Sequence, residues 1–363
     1  MSRLSIFPLL AALAIGAPPS VQAQASERSF ERMIESIASA AERMALEVER
    51  SASRLAIRFE REFNRRDGRW EQERERQSRR RDDVQWQEPR TSIDTTIAFS
   101  SNGLIELTNL SGDIVVTGWD RKDAHIKAES ERGEFEFELS SSRIILQARS
   151  SRGSRGERGG RETRYELKVP RGVRVVANSM TGEVTITGTG GSVEAGSISG
   201  DVAVDDASGR SELTSVSGDV SGKRIKGDVE ATSVSGNVEL SDVEGRVRTG
   251  TTSGDIVLTR IVSRNLEAST TSGDIEFEGG VESDGRYEFN SHSGDISLVV
   301  PSATSARFAV ESFSGSMESD FAVTLQPTDR SNRRQRRFEF SVGGGGAHVV
   351  AETFSGDVNI RRR

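Results

Sequence analysis

A Ser-Gly-Asp-(Val/Ile) tetrapeptide returns with an almost constant period through the C-terminal half of the chain. Its glycines stand at Gly182, Gly200, Gly218, Gly236 and Gly254, each 18 residues after the last, and continue at Gly273, Gly294 and Gly315. Self-similarity at such a period marks an architecture in which every unit stacks on its neighbours. Two and four residues after each glycine the chain is apolar with a polar residue between, as at Val202/Val204, Val238/Leu240 and Ile256/Leu258. Seven and five residues before the glycine the same alternation recurs, as at Val193/Ala195, Val229/Ala231 and Leu266/Ala268. Both patterns are those of a strand with one buried face, so each unit supplies two short strands.

The glycine between them suits a corner that needs positive φ or close backbone approach, and the flanking Ser and Asp can bond local amides. A second series at Gly191, Gly209, Gly227 and Gly245 marks another corner, dividing the unit into two nine-residue halves. A half cannot bury its apolar face alone, whereas stacking sets Val on Val in successive coils. The fold class is therefore mostly β: a β-solenoid, or β-helix-like rod, of about 18-residue coils. Roughly nine coils at ~4.8 Å would give a rod about 40 Å long. The 18-residue period suits a triangular left-handed coil of hexapeptides, whereas the half-period argues for two faces, toward which the reading leans.

Ahead of the repeats, Arg3 followed by the apolar run Leu9 to Ile15 and small residues around Ala23 and Ala25 reads as a secretory signal peptide over 1–25. That run is short and broken by Pro8, Pro18 and Pro19, so it is a poor membrane span, and the mature chain offers no other transmembrane candidate. Phe30, Ile34, Ile37, Ala41, Met44, Val48, Ala52, Leu55, Phe59 and Phe63 then fall at steps of three and four, predicting an amphipathic helix over 26–64. Such a helix is unstable alone. It must pair with another copy as a coiled coil, lie on the protein's own β-domain, or rest on lipid or a partner helix. Residues 65–90 are densely charged and read as helix extension or linker, ended by Pro89.

A longer-stranded β module is expected over 91–181 as a cover for the first coil, the repeats over 182–325, and a C-terminal cap with the last strand over 326–363. Charge is uneven: residues 182–325 hold 10 Lys and Arg against 24 Asp and Glu. That balance opposes nucleic acid and anionic membranes as partners. Basic residues gather instead at Arg152 to Arg164, Arg330 to Arg337 and Arg361 to Arg363, as solvated segments or as contacts for acidic polysaccharide or lipid headgroups. With no cysteine, disulfides, thiolate metal sites and lipid attachment through a cysteine are excluded.

Few residues offer chemistry. The row Asp201, Asp219, Asp255, Asp274 and Asp295 places like charges one strand spacing apart, which suits either turn-capping in water or calcium bridging between coils. Asn237 interrupts it. Ser215/Ser217 and Ser233/Ser235 read as hydroxyl ladders rather than nucleophiles, because no histidine keeps register with them. His125, His292 and His348 lack metal-ligand spacing, and His292 occupies the position of Val216, Val234 and Phe313, which points to packing. A polysaccharide hydrolase or lyase would need clustered carboxylates and aromatic platforms, yet the repeats contain one tyrosine, Tyr287, and no tryptophan. No catalytic, cofactor-binding or metal-ligating residue is assigned.

The order Leu110-Ser111-Gly112-Asp113-Ile114, Gly118-Trp119-Asp120, Tyr165-Glu166-Leu167-Lys168-Val169-Pro170, the Ser-Gly-Asp ladder and the closing Thr353-Phe354-Ser355-Gly356-Asp357-Val358 resembles a bacterial family of β-strand-repeat proteins of unknown function labelled "putative adhesins". The resemblance covers about residues 91–363 and departs from the pattern at Asn237 and at Gly315-Ser316-Met317. It implies the fold and carries over no catalytic residue. The function expected is an exported, non-catalytic, adhesin-like or scaffolding solenoid of the cell envelope, periplasmic, surface-held or secreted. Its partner would be an envelope protein or a surface polysaccharide, with self-association possible through the helix. The alternatives are a periplasmic regulatory or sensory protein acting through the helix, and a polysaccharide-active β-helix enzyme.

Overall fold

The computed structural model describes residues 92–130, 135–148, 162–322 and 336–363. The signal peptide expected over 1–25, the amphipathic helix over 26–64 and the charged segment over 65–90 lie outside them. The described residues form strands only. At the N-terminal end stand β1 (Ser92–Ala98), β2 (Leu104–Ser111), β3 (Ile114–Trp119), β4 (Asp123–Ser130), β5 (Phe135–Leu139), β6 (Arg143–Ala148) and β7 (Thr163–Pro170). The repeats follow as β8 (Arg174–Thr181), β9 (Val184–Thr187), β10 (Val193–Ser199), β11 (Val202–Ala207), β12 (Ser211–Ser215), β13 (Val220–Lys226), β14 (Val229–Ser233), β15 (Val238–Glu244), β16 (Val247–Ser253), β17 (Ile256–Ile261), β18 (Asn265–Ser272), β19 (Ile275–Gly279), β20 (Arg286–Ser293) and β21 (Ile296–Val300). The chain closes with β22 (Ala306–Ser314), β23 (Met317–Ser319), β24 (Arg336–Val342), β25 (Ala347–Ser355) and β26 (Val358–Arg362).

These strands make two 13-stranded sheets. The strands before each Ser-Gly-Asp corner form one, here the upstream sheet, ordered β24-β22-β25-β20-β18-β16-β14-β12-β10-β8-β2-β6-β5. The strands after the corner form the downstream sheet, β1-β4-β7-β3-β9-β11-β13-β15-β17-β19-β21-β26-β23. Two sheets settle the cross-section as flattened. Neighbouring repeats pair in parallel and in register: Val202 lies opposite Val184 and Val220, Val238 opposite Ile256. The inward columns are fully buried between the sheets, where a Val or Ile side chain contributes roughly 2 kcal/mol over its exposed state. Volumes compensate across the core. Gly222 takes an inward position where a Cβ would meet Leu240, Ile225 and Leu213, so the large Leu213 faces a glycine.

Period-two alternation alone would turn Asp206, Arg224, Asp242 and Arg260 inward. Instead each adopts positive φ, at 54°, 50°, 55° and 54°, and the chain bends there. The bend shifts the next inward position by one residue, so Ala207, Ile225, Val243 and Ile261 complete the core. This column is absent from the sequence reading because it does not follow the strand period. Its signal is an apolar residue seven places after Gly200, Gly218, Gly236 and Gly254. Where the glycine spacing widens to 19 and 21 residues, the wider core is filled by rings: Phe277 lies 5.3 Å from Phe289 and 6.1 Å from Tyr287.

Stacking order departs from chain order at both ends. The coil β2–β3 lies between β6–β7 and β8–β9, and the coil β25–β26 lies between β20–β21 and β22–β23. Eleven parallel coils result, rather than about nine, and the rod is about 50 Å long. Antiparallel strands close the ends: β4 on β7 and β1 on β4, β5 on β6, and β24 on β22. The remaining edge, β23, has three residues, too short to template further pairing.

Candidate functional surface

The aspartate row is a ladder of side-chain to backbone bonds. Each Oδ1 accepts the amide at the same position one coil on: Asp219 N–H to Asp201 at 2.9 Å, Asp274 N–H to Asp255 at 2.9 Å, Asp295 N–H to Asp274 at 2.8 Å. Asn237 continues it without a break, accepting from Asp255 N–H at 2.9 Å and donating its own amide to Asp219 at 2.7 Å. The position needs an acceptor oxygen rather than a charge, which accounts for the asparagine. At the C-terminal end Asp357 accepts both the amide and the hydroxyl of Ser316, at 2.6 and 2.9 Å. Those bonds hold the Asp357 carboxyl below the usual carboxylate range. Ser316 belongs to the outermost coil, where no further amide waits for an acceptor, so the break in the motif there has a topological cause.

The hydroxyl row works on the adjacent carbonyls. Ser197 donates to the Gly182 carbonyl at 3.1 Å, Ser215 to Gly200 and Ser233 to Gly218 at 2.9 Å, and Thr251 to Gly236 at 2.9 Å. These carbonyls lie where successive coils press together; a Cβ at Gly236 would overlap the Gly218 oxygen. Ser217 and Ser235 are exposed, and their amides donate to the carbonyls of Ile198 and Val216 at 2.9 Å. The Tyr287 hydroxyl donates to the Ser263 carbonyl and accepts the Glu282 amide at 2.8 Å, so this ring is buried structure, not a sugar platform.

The histidines stay apart. His125 bonds Thr96 Oγ1 through Nδ1 at 3.1 Å beside Asp94 at 3.8 Å, at the N-terminal end. His292 is exposed and stacks on Phe354 at 5.1 Å, which stacks on Phe313 at 4.9 Å. Its packing is on an outward row of the upstream sheet rather than in the core. His348 is exposed on β25. Among the described residues no group of three or more His, Asp and Glu is placed to hold a metal ion.

The positive-φ corner carries a charged ridge. Arg171 reaches Asp120 at 2.9 Å and Asp206 at 3.2 Å, Arg224 pairs with Asp205, and Arg260 binds Asp242 through two nitrogens at 2.6 and 2.7 Å. The hydrogen bonds from Arg260 lower the Asp242 carboxyl pKa. Further along, Arg363 meets Glu278 at 2.9 Å, which accounts for one of the three terminal arginines. The outward rows of the adjoining downstream sheet stay open: Ala203, Ser221, Val257 and Ser297 are half-buried, Glu239 and Glu276 exposed. Corresponding central positions of the upstream sheet, such as Thr214 and Thr232, are buried. The molecule thus presents an open, flat, mixed-polarity face bordered by paired charges, and the aspartate and buried hydroxyl rows of the repeats are engaged in joining coil to coil. No described helix is long and apolar enough to cross a membrane.

Three solved structures show similarity to the chain. A "putative cell adhesion protein" from Clostridium sporogenes ATCC 15579 is 9% identical, with 76% of this chain and 100% of that chain covered and a TM-score of 0.23. A "putative adhesin" from Bacteroides fragilis NCTC 9343 is 12% identical, covering 74% and 97%, with a TM-score of 0.37. A "putative lipid binding protein" from Parabacteroides distasonis ATCC 8503 is 12% identical, covering 75% and 97%, with a TM-score of 0.40. No curated protein matches. The family model described as Toastrack DUF4097 matches residues 158–361, more than half of the chain and the whole Ser-Gly-Asp ladder, so the chain belongs to the Toastrack DUF4097 family.

Proposed function

We propose that the protein is an exported, non-catalytic, adhesin-like scaffold of the cell envelope that offers the open downstream face to an envelope protein or surface polysaccharide. The observation that carries this reading is the continuity of that face. Half-buried and exposed outward residues follow one another from Thr185 to Asn359 without a cleft-forming insertion, alongside the ridge of paired charges. The N-terminal residues 1–25, with their signal-like pattern, support export. Repeat surfaces of this kind bind by extended complementarity rather than by converging a few reactive groups.

The test uses the mature full chain and a variant carrying Ala203→Arg, Ser221→Arg and Ser297→Arg, which crowds the face and leaves the core untouched. The parent is expected to be retained by envelope fractions or by immobilised acidic or neutral polysaccharide. The variant should be retained about tenfold less, the scale of a lost interface anchor. Equal retention of both proteins removes the downstream face from the reading. Reducing ends or unsaturated sugars released from a polysaccharide would replace it with the enzyme, and capture abolished by Ile37→Asp alone would favour the regulatory protein acting through residues 26–64.

A further inference from the structure

The outward face of the upstream sheet is half-buried to exposed along its flanking rows but largely buried along its central one, where a two-layer solenoid would leave it wet. Along its central row Asn178 is 2% exposed, Thr232 6%, Ser269 6% and Glu311 7%, although alternation points all four away from the core. The downstream sheet has the same parallel spacing and none of its outward rows is buried. Exposures this low on an outward row are what atoms lying over the row would produce. On one side of the row Ile198, Val216 and Val234 make an apolar strip; on the other stand Glu194, Glu212 and Glu230.

Residues 26–64 match this face in length, chemistry and need. Their apolar stripe from Phe30 to Phe63 would rise about 50 Å as a helix, the same span as eleven coils. Arg50, Arg54 and Arg58 recur at steps of four beside the stripe, and can face the glutamate row. A lone amphipathic helix is not stable, and a sheet's second apolar strip calls for a covering layer. The internal segments outside the described residues, 131–134, 149–161 and 323–335, connect strands at the two ends of the rod.

We propose that residues 26–64 dock as one helix lengthwise on the upstream sheet of their own chain, as a third layer. The cysteine-free sequence makes the test direct. Single cysteines are placed in the mature full chain at Thr232, under the docked segment, and at Ala203 on the open face, and the rate of maleimide labelling is measured. Thr232→Cys is expected to label at least about tenfold more slowly than Ala203→Cys. Adding Ile37→Asp and Met44→Asp should remove most of that difference while the Ala203→Cys rate and the β circular dichroism stay unchanged. Equal rates at the two sites overturn the proposal, as does protection that ignores the two aspartates. Protection of Thr232→Cys that fades on dilution assigns the cover to a second copy and equally overturns docking in cis.

Discussion

Asn237 stands in a row of aspartates and performs their task, because an amide oxygen accepts the next coil's N–H as a carboxylate does. Replacing Asp255 separates acceptor from charge. Asp255→Asn should leave the urea midpoint nearly unchanged, and Asp255→Ala should lower stability by about 1 kcal/mol, the usual worth of one such bond. Asp357 adds a pH dependence. Its folded pKa lies below the unfolded value, so its contribution is complete above the ordinary carboxylate pKa and is lost as pH falls through the depressed one. Thermal midpoints measured from pH 7 down to pH 3 should therefore fall less steeply for Asp357→Asn than for the parent. Residue types in this row were legible from the sequence; which atom each engages was not, since Asp beside a tight turn equally suits a local amide, a cation or water.

At the level of elements, β25–β26 shows where repeat reading stops. Its Thr353-Phe354-Ser355-Gly356-Asp357-Val358 motif identifies a coil, yet the coil lies inside the stack, between β20–β21 and β22–β23. Every coil offers nearly the same apolar columns and the same ladders, so local sequence cannot say which neighbours a given motif takes. The antiparallel β24 decides it by covering the outer side of β22, leaving the inner slot for the returning chain. A chain ending after Gly346 should lose the β22–β24 end as well as the missing strands, seen as fast hydrogen exchange across Ala306–Ser314. A peptide of residues 347–363 added in trans should restore protection by filling the slot as an extra strand. Unaltered slow exchange in the truncated chain would refute the slot.

Taken whole, the molecule is a one-dimensional stack in which each coil meets only its neighbours. Removal of one complete unit, residues 219–236, joins Gly218 to Asn237 and returns every column to register, so the β spectrum and a cooperative unfolding transition should survive. Removal of residues 228–236 joins a corner of one type to a corner of the other, exchanges the two sheets beyond the cut, and should abolish cooperative unfolding. The sequence by itself determined the coil, its two strands, its corners and the family, because period, glycine spacing and apolar alternation are local and repeat many times. Only the tertiary structure decided the flattened section, the positive-φ bend that turns Ile225 and Val243 inward, the out-of-order ends and the difference between the two outer faces. Each of those follows from which identical-looking surfaces meet, and that choice is made by end caps and covering layers far away along the chain.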